Sequence, residues 1–177
     1  MDTPETASGE GRDLRGHPAV ARVLDALERA GVTPTVRFLP DAVRTAQAAA
    51  DALGVTAAEI ANSLVFTATA PDGTTAPLLV MASGGHRVDL DRVAALAGLS
   101  RIDRAAPEAV REATGFAIGG VAPVGHLHPI RTLVDVALDR HDTVWAAAGH
   151  SHAVFRTSYA ELLRITGGQP MEVGRAG

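Results

Sequence analysis

One predicted β-hairpin constrains the fold of this chain more than any other segment. Residues 63–69 and 77–82 are two runs rich in apolar side chains, and each has the length of a typical strand. Asp72 and Gly73 lie between them, and an Asp-Gly pair is a strong signal for a tight turn between antiparallel strands. The sequence therefore predicts an antiparallel strand pair near the middle of the chain.

The remaining elements are predicted from helical spacing, capping residues and short apolar runs. The predicted helices are 18–30, 45–53, 90–97, 107–114 and 158–165, and the further strands are 35–39, 131–136, 143–148 and 153–156. A capping-box pattern from Thr56 to Glu59 predicts a short helical turn before Asn62. Helices and strands do not alternate regularly, so we expect an α/β fold with a compact mixed β-sheet or barrel surrounded by helices.

Composition predicts one domain between two tails. Residues 1–16 mix Gly, Ser, Thr, Pro and charges without periodicity, which is typical of a disordered tail, and residues 174–177 are expected to be flexible. A single domain is expected over 17–173. The sequence has no apolar run of about 20 residues and no signal-peptide core at its start, so we expect a cytoplasmic protein without a membrane partner.

Cysteine and lysine are both absent from the chain. Without cysteine there can be no disulfide, iron–sulfur cluster, thiolate zinc site or cysteine nucleophile. All 16 basic residues are arginine, which stays protonated and cannot serve as a general base. The net charge of -4 indicates no general attraction to nucleic acid, so DNA is not an expected partner and any RNA must be recognised locally.

The clearest signature of a binding site is the glycine-rich loop 114–126, TGFAIGGVAPVGH. Gly119 and Gly120 lack the Cβ that would block a close approach, and Pro123 fixes one backbone angle. Such a loop can direct backbone N–H groups toward a ligand carbonyl without help from charged side chains. The residues alone are equally compatible with a tight connection whose glycines only form a turn.

Five ordered segments resemble the YbaK / prolyl-tRNA-synthetase-associated domain family. They are RTAQAAADALGV (44–55), EIANSLVF (59–66), TGFAIGGVAPVGH (114–126), DTVWAAAGH (142–150) and YAELLRITGG (159–168). The resemblance implies a mixed α/β fold of the aminoacyl-tRNA editing type and a free-standing hydrolase without a cofactor. Its expected partner is the aminoacyl-tRNA 3′ end, with at most transient contact to a synthetase. The expected substrate is tRNA(Pro) carrying a small non-cognate amino acid such as alanine, cysteine, serine or threonine.

The resemblance also implies where the chemistry takes place. The Gly119-x-x-x-Pro123 part of the loop corresponds to the place where the family holds the substrate carbonyl and the attacking water. We therefore expect backbone N–H groups of Gly119, Gly120 and Val121 to stabilise the charge that develops on the carbonyl oxygen. Positioning of water and substrate, rather than a protein nucleophile, would then drive hydrolysis.

Asn62 departs from the family pattern, which has a lysine just before the central strand. An amide with both a donor and an acceptor replaces a charged amine. Asn62 could bind substrate in a subgroup with altered specificity, could mark an inactive site, or could cap a turn. We expect a retained but altered site, and the alternative is a non-catalytic module that binds aminoacyl-tRNA or another small ligand.

Other candidates for substrate contact lie in polar or aromatic positions near these segments. They are Ser83, His86, Phe116, Pro123, His126 and His152. Ser83 and His86 could form a nucleophilic pair, but a G-x-S-x-G elbow and a clear third member are lacking. Phe116 could line the pocket or be simply core.

Two His-x-His pairs, 126–128 and 150–152, could each place both imidazoles on one face of a strand. Adjacent carboxylates at ligand-like spacing are lacking, so no metal is expected, and His126 and His152 are interpreted as polar groups of the pocket or as surface histidines. Arg44, Arg87 and Arg131 could contact phosphates, as any arginine could.

Overall fold

The computed structural model describes residues 11–175 and has five α-helices and ten strands in that range. In chain order they are α1 (Pro18–Arg29), β1 (Thr35–Phe38), α2 (Ala46–Leu53), β2 (Ala61–Thr69), β3 (Thr75–Ser83), β4 (Arg87–Val88), α3 (Leu90–Ala97), β5 (Arg101–Arg104), α4 (Pro107–Thr114), β6 (Arg131–Asp135), β7 (Val144–His150), β8 (Ala153–Thr157), α5 (Tyr159–Thr166), β9 (Gln169–Met171) and β10 (Gly174–Arg175).

The predicted hairpin forms the centre of the largest sheet. β2 and β3 pair antiparallel, from Ala61 opposite Ser83 to Thr69 opposite Thr75. β5 joins β2 antiparallel, β6 joins β3 parallel and β9 joins β6 parallel, which gives the order β5-β2-β3-β6-β9. The predicted mixed α/β fold is therefore confirmed.

A second, antiparallel sheet of order β1-β8-β7 packs with α1 against one face of the large sheet. The main core cluster joins Leu27 of α1, Leu79 of β3 and Phe155 of β8, all of which are fully buried. Each such side chain contributes about 1.5–3 kcal/mol relative to an exposed position. This core packs against the start of β2 and against the loop that follows α4.

Local capping signals explain why the predicted helices lie within one residue of the observed ones. Thr45 Oγ1 accepts a hydrogen bond from the Ala48 N–H at 3.1 Å, and Gly54 ends α2 in the left-handed conformation. Glu59 Oε2 accepts from the Thr56 N–H at 3.3 Å, which is one half of the predicted capping box. The sequence analysis missed β4, β5, β9 and β10, which have only two to four residues each and are too short for a periodic pattern.

Residues 11–16 and 174–175, which composition assigns to the tails, contact the folded core. The Gly11 N–H donates to the Phe38 carbonyl at 2.7 Å, Leu14 packs on the main core cluster, and Gly174 pairs with Val88. The predictions of disorder for 1–10 and of flexibility for 176–177 lie outside the described residues. The single domain predicted for 17–173 stays a prediction, and 11–16 and 174–175 join it through these contacts. None of the helices within 11–175 has the length and apolar character needed to cross a membrane.

Candidate active site

Two cavities meet at the glycine-rich loop between α4 and β6. The small cavity, of about 250 Å³, lies between the start of α2, the first half of β2 and β7. The large cavity, of about 690 Å³, lies between β2, β4 and the end of β5. Their common wall consists of Ser63, Leu64, Ile118, Gly119 and Val121. The loop therefore separates two spaces that open onto the same strand.

The first half of β2 presents a free edge to these cavities. β3 pairs along the whole of β2, but β5 pairs only with residues 66–69. Within the described part of the chain, the second side of residues 61–65 has no strand partner, and the nearest pairing is a single parallel bridge between Ile60 and Trp145. Because alternate N–H and C=O groups on such an edge are unpaired, this half of β2 can hydrogen bond to a ligand.

Hydrogen bonds from α1 hold the glycine-rich loop at both ends. Arg22 donates through Nε to the Gly125 carbonyl and through Nη2 to the Gly115 carbonyl, each at 3.0 Å. Thr114 Oγ1 accepts from the Phe116 N–H at 3.0 Å. The backbone groups between these anchors are therefore held in place before any ligand arrives, which is the condition for electrostatic stabilisation of a developing charge.

Within the loop, two of the three predicted N–H donors are free. The Gly120 N–H already donates to the Ala117 carbonyl at 3.0 Å, whereas the N–H groups of Gly119 and Val121 donate to no backbone carbonyl among residues 11–175. Gly119 and Val121 also line the small cavity, and Gly120 does not. Gly120 instead packs tightly against the backbone of His150. Among the described residues, Gly119 and Val121 therefore combine an unpaired N–H with a position in the wall of the small cavity, whereas Gly120 has neither.

Arg44 lies over Gly119. The φ angle of Gly119 is +91°, and a Cβ built there would lie 3.1 Å from Arg44 Cγ, so both the conformation and the space favour glycine. Arg44 is exposed, lines the small cavity and forms no ion pair with the described residues. Its charge is available to an anionic or carbonyl group of a ligand.

Asn62 lines the same small cavity as Gly119. It is the second residue of β2, half-buried and opposite Ala82. The preceding turn is capped by Thr56 and Glu59, so the interpretation of Asn62 as a turn cap finds no support. The amide of Asn62 therefore forms part of the wall of the small cavity.

Small and apolar side chains form most of the small cavity. Six of its lining residues are alanines, namely Ala46, Ala49, Ala61, Ala146, Ala147 and Ala153. Half-buried Trp145 also lines it, and the Arg37 guanidinium lies 5.9 Å from the centre of the Trp145 ring. A volume below the roughly 300–1,000 Å³ of common ligand sites and a lining of this kind suit a small side chain.

Ser83 and His86 do not form a nucleophilic pair. Ser83 is 2% exposed, and its Oγ donates to the Ala58 carbonyl at 2.9 Å. His86 Nε2 lies 3.3 Å from Oδ2 of Asp135, a buried carboxylate that also accepts from the Ser83 N–H at 3.0 Å. His86 lines the large cavity, whereas Ser83 lines neither cavity. Asp135 therefore binds both residues on the inner side of the sheet.

Three predicted contact residues lie in the loop itself but line neither the small nor the large cavity, namely Phe116, Pro123 and His126. Phe116 is fully buried, with the Arg22 guanidinium 4.7 Å from its ring centre, and Pro123 is buried as well. His126 Nε2 hydrogen bonds to the Ala122 carbonyl at 2.7 Å. Burial lowers the pKa of His126, the Ala122 bond raises it, and the charge of Arg22 lowers it, with a net lowering. A neutral His126 that donates through Nε2 fits this environment.

The histidine at the small cavity is His150 rather than the predicted His152. His152 Nδ1 hydrogen bonds to the Leu39 carbonyl at 2.9 Å, and its ring centre lies 5.4 Å from that of His150. Burial lowers the pKa of His150, and the charges of His17, His152 and Arg44 lower it further. No group of three or more His, Asp or Glu side chains within 11–175 has the arrangement of a metal site. His150 thus offers a neutral ring to the cavity.

The sequence analysis missed two parts of the small cavity. Residues 43–46, just before and at the start of α2, line this cavity. Trp145 also lines it, although its neighbours in the sequence show no polar pattern that would mark a site. Residues 44–46 and Trp145 lie inside segments that carry the family resemblance, 44–55 and 142–150, and that overlap was the available signal.

Comparison with known proteins identifies the family of this chain. The model of the aminoacyl-tRNA editing domain matches residues 40–165. The chain belongs to this family. The uncharacterized protein YwhH of Bacillus subtilis (strain 168) is 31% identical over 118 residues, which cover 67% of this chain and 72% of YwhH. The predicted relation to the YbaK-type editing domains is confirmed.

Two solved structures show the same fold as this chain. A proposed trans-editing enzyme for prolyl-tRNA synthetase is 42% identical, with a TM-score of 0.80 over 89% of this chain and 98% of that one. The hypothetical protein APE2540 is 28% identical, with a TM-score of 0.77 over 87% of this chain and 99% of that one. The similarity spans nearly the full length of both relatives, so the editing domain accounts for most of this chain.

Proposed function

We propose that this editing-domain protein is a free-standing deacylase that hydrolyses the ester of a mischarged tRNA carrying a small amino acid. The observation that carries the proposal is the pair of free N–H groups, on Gly119 and Val121, at the wall of an alanine-lined cavity. The proposed acceptor is tRNA(Pro), because a relative 42% identical is a proposed trans-editing enzyme for prolyl-tRNA synthetase. Any contact with a synthetase would be transient.

In the proposed reaction, the ester carbonyl oxygen accepts from the N–H groups of Gly119 and Val121. A water molecule adds to the carbonyl carbon, and the charge that appears on the oxygen is stabilised by donors that need no rearrangement. Collapse of the tetrahedral intermediate breaks the ester bond, and the products are the free amino acid and the 3′ hydroxyl of the tRNA. Removal of one such donor typically costs 10²–10³-fold in rate.

Asn62 is proposed to bind the α-ammonium group of the amino acid. Its amide oxygen is an acceptor, and the free edge of β2 between residues 61 and 65 adds carbonyl groups beside it. A lysine at this position would repel an ammonium group, whereas an asparagine attracts it. The substitution therefore fits a site that holds the aminoacyl group by its charged end.

The test is a panel of radiolabelled aminoacyl-tRNAs incubated with the purified full chain. We expect loss of the ester from tRNA(Pro) carrying alanine, serine, cysteine or threonine, and no loss from correctly charged prolyl-tRNA. The Asn62→Ala variant should hydrolyse the same substrates more slowly. An Asn62→Ala variant with full activity would remove this residue from substrate binding.

The second candidate function is a non-catalytic module that binds aminoacyl-tRNA, and the asparagine at the family lysine position favours it. It predicts measurable binding of the panel with no ester loss above the spontaneous rate. The assay therefore separates the two functions directly. A cytoplasmic location, where tRNAs are charged, stays a prediction under both.

A further inference from the structure

We infer that the large cavity binds the terminal nucleotide of the tRNA, with its phosphate between Arg87 and Arg104, while the small cavity holds the amino acid. This inference rests on the proposed function, because it divides one aminoacyl-nucleotide between two neighbouring spaces. It assigns to Arg87 and Arg104 a role in positioning the substrate rather than in the chemistry.

The small and large cavities share a wall. An aminoacyl ester joins a small amino acid to a larger nucleoside, and the cavities differ in the same sense, with about 250 and 690 Å³. Gly119 and Val121 lie between them, so an ester carbonyl held by their N–H groups leaves one substituent on each side. Of these two cavities, only the large one has the room for a ribose and a base.

The lining of the large cavity is suited to a base. Aliphatic side chains form much of its surface, namely Leu64, Val65, Val88, Leu90, Val110 and Ile118. Ile118 is an exposed apolar side chain, 53% accessible, at the boundary with the small cavity. An apolar surface of this kind can cover a planar base, because bases bury their faces against apolar groups as well as aromatic ones.

The large cavity also carries positive charge. Arg87 in β4 and Arg104 at the end of β5 both line the large cavity, are exposed and form no ion pair within residues 11–175. The neighbouring acids are engaged, because Asp103 pairs with Arg101 at 2.7 Å and Asp89 with Arg175 at 3.3 Å. The cavity therefore carries two available guanidinium groups in a chain with net charge -4, and guanidinium is well matched to phosphate.

A third cavity, of about 420 Å³, provides the competing location. Arg44 and Arg111 line it, but it contacts the loop at residues 115–118 and at Gly120, and neither Gly119 nor Val121 lines it. The Gly120 N–H is already engaged with the Ala117 carbonyl. A nucleotide there would lie away from the two free donors, so the large cavity is the better continuation of the ester.

The experiment measures binding of a stable analogue, 3′-alanylamino-3′-deoxyadenosine, with and without a 5′-phosphate. The amide replaces the ester, so binding is read by calorimetry without turnover. We expect the phosphate to improve affinity about tenfold in the wild type, as for one or two charge-assisted bonds near solvent. In the Arg87→Gln and Arg104→Gln variants this advantage should shrink, and affinity for the unphosphorylated analogue should stay unchanged.

Two matched variants serve as controls. Arg111→Gln removes a charge from the competing cavity, and Arg156→Gln removes an exposed charge from β8; both should keep the full phosphate advantage. The salt dependence gives a second reading, because salt screens a phosphate–guanidinium contact near solvent, so the phosphate advantage should fall with added salt in the wild type and less in the two arginine variants. A fold defect would weaken both forms of the analogue equally, which distinguishes it from loss of a phosphate contact.

Three results would overturn the inference: no binding of the analogue by the wild type, a phosphate advantage that survives in Arg87→Gln and Arg104→Gln, or one that disappears in Arg111→Gln. The proposed function is judged separately by the mischarged tRNA panel. If the wild type deacylates mischarged tRNA but neither arginine variant loses the phosphate advantage, the proposed hydrolase function is supported and this nucleotide site is refuted. If binding of the phosphorylated analogue depends on Arg87 and Arg104 but no tRNA is deacylated, the nucleotide site is supported and the protein is a non-catalytic binding module.

Discussion

The Gly119→Ala substitution tests the loop most directly. Gly119 has a φ of +91°, and a new Cβ would lie 3.1 Å from Arg44 Cγ. A left-handed backbone costs an L residue about 1–2 kcal/mol, and the contact with a flexible arginine stem adds little, because the stem can move. We therefore expect the variant to fold, with its free energy of unfolding lowered by about 1–2 kcal/mol.

The effect of Gly119→Ala on hydrolysis should be much larger than its effect on stability. Relaxation of the strained backbone should displace the Gly119 N–H from the position proposed for the oxyanion donor, and loss of one such donor costs about 10²–10³ in kcat. Single-turnover deacylation of alanyl-tRNA(Pro) measures this loss, and urea unfolding measures the stability.

A matched control separates backbone strain from the site itself. Gly31 follows α1 with a φ of +77°, and a Cβ there would meet open space. Gly31→Ala should lower the stability by a similar amount and leave kcat unchanged. Full activity of Gly119→Ala, or an equal loss in both variants, would refute the assignment of the Gly119 N–H to the oxyanion.

Three further predictions concern the support and the selectivity of the site. Arg22→Gln should lower the unfolding free energy by about 1–3 kcal/mol and reduce kcat, because the Gly115 and Gly125 carbonyls lose their donor; thermal unfolding and the deacylation assay check it. Ala49→Leu should fill the small cavity and lower kcat/KM for threonine more than for alanine, and equal losses would contradict the selectivity argument. The pKa of His126 is lowered in the folded state, so the unfolded chain binds a proton first as the pH falls below about 6.5, and stability should decrease from there down to the folded pKa. Urea unfolding between pH 5 and 8 should show a weaker pH dependence for His126→Gln than for the wild type.

The sequence predicted elements whose signals are local. The Asp72-Gly73 turn set the hairpin, and capping residues such as Thr45 set the helix ends. β4 and β10 could not be predicted in this way, because two-residue strands exist only through pairing with each other. Their position depends on contacts between distant segments rather than on a pattern along the chain.

The candidate site divides along the same line. The sequence indicated the loop and Asn62, and the structure places Asn62 and Gly119 in one cavity. The Gly120 N–H is already engaged with the Ala117 carbonyl, and no residue pattern along the chain indicates that bond. Trp145 lies in a strand whose side chains alternate in burial, and the sequence does not show which of them meets a cavity.

The bonds of Arg22 to both ends of the loop have a consequence for how this domain can be shortened or fused. Arg22 belongs to α1, residues 18–29, whereas the segment that matches the family begins at residue 40. A fragment cut to the family limits would keep every residue that lines the two cavities and lose the clamp that orients the free donors. The candidate site thus depends on a helix that lies before residues 40–165, and transplanting the site requires that helix as well.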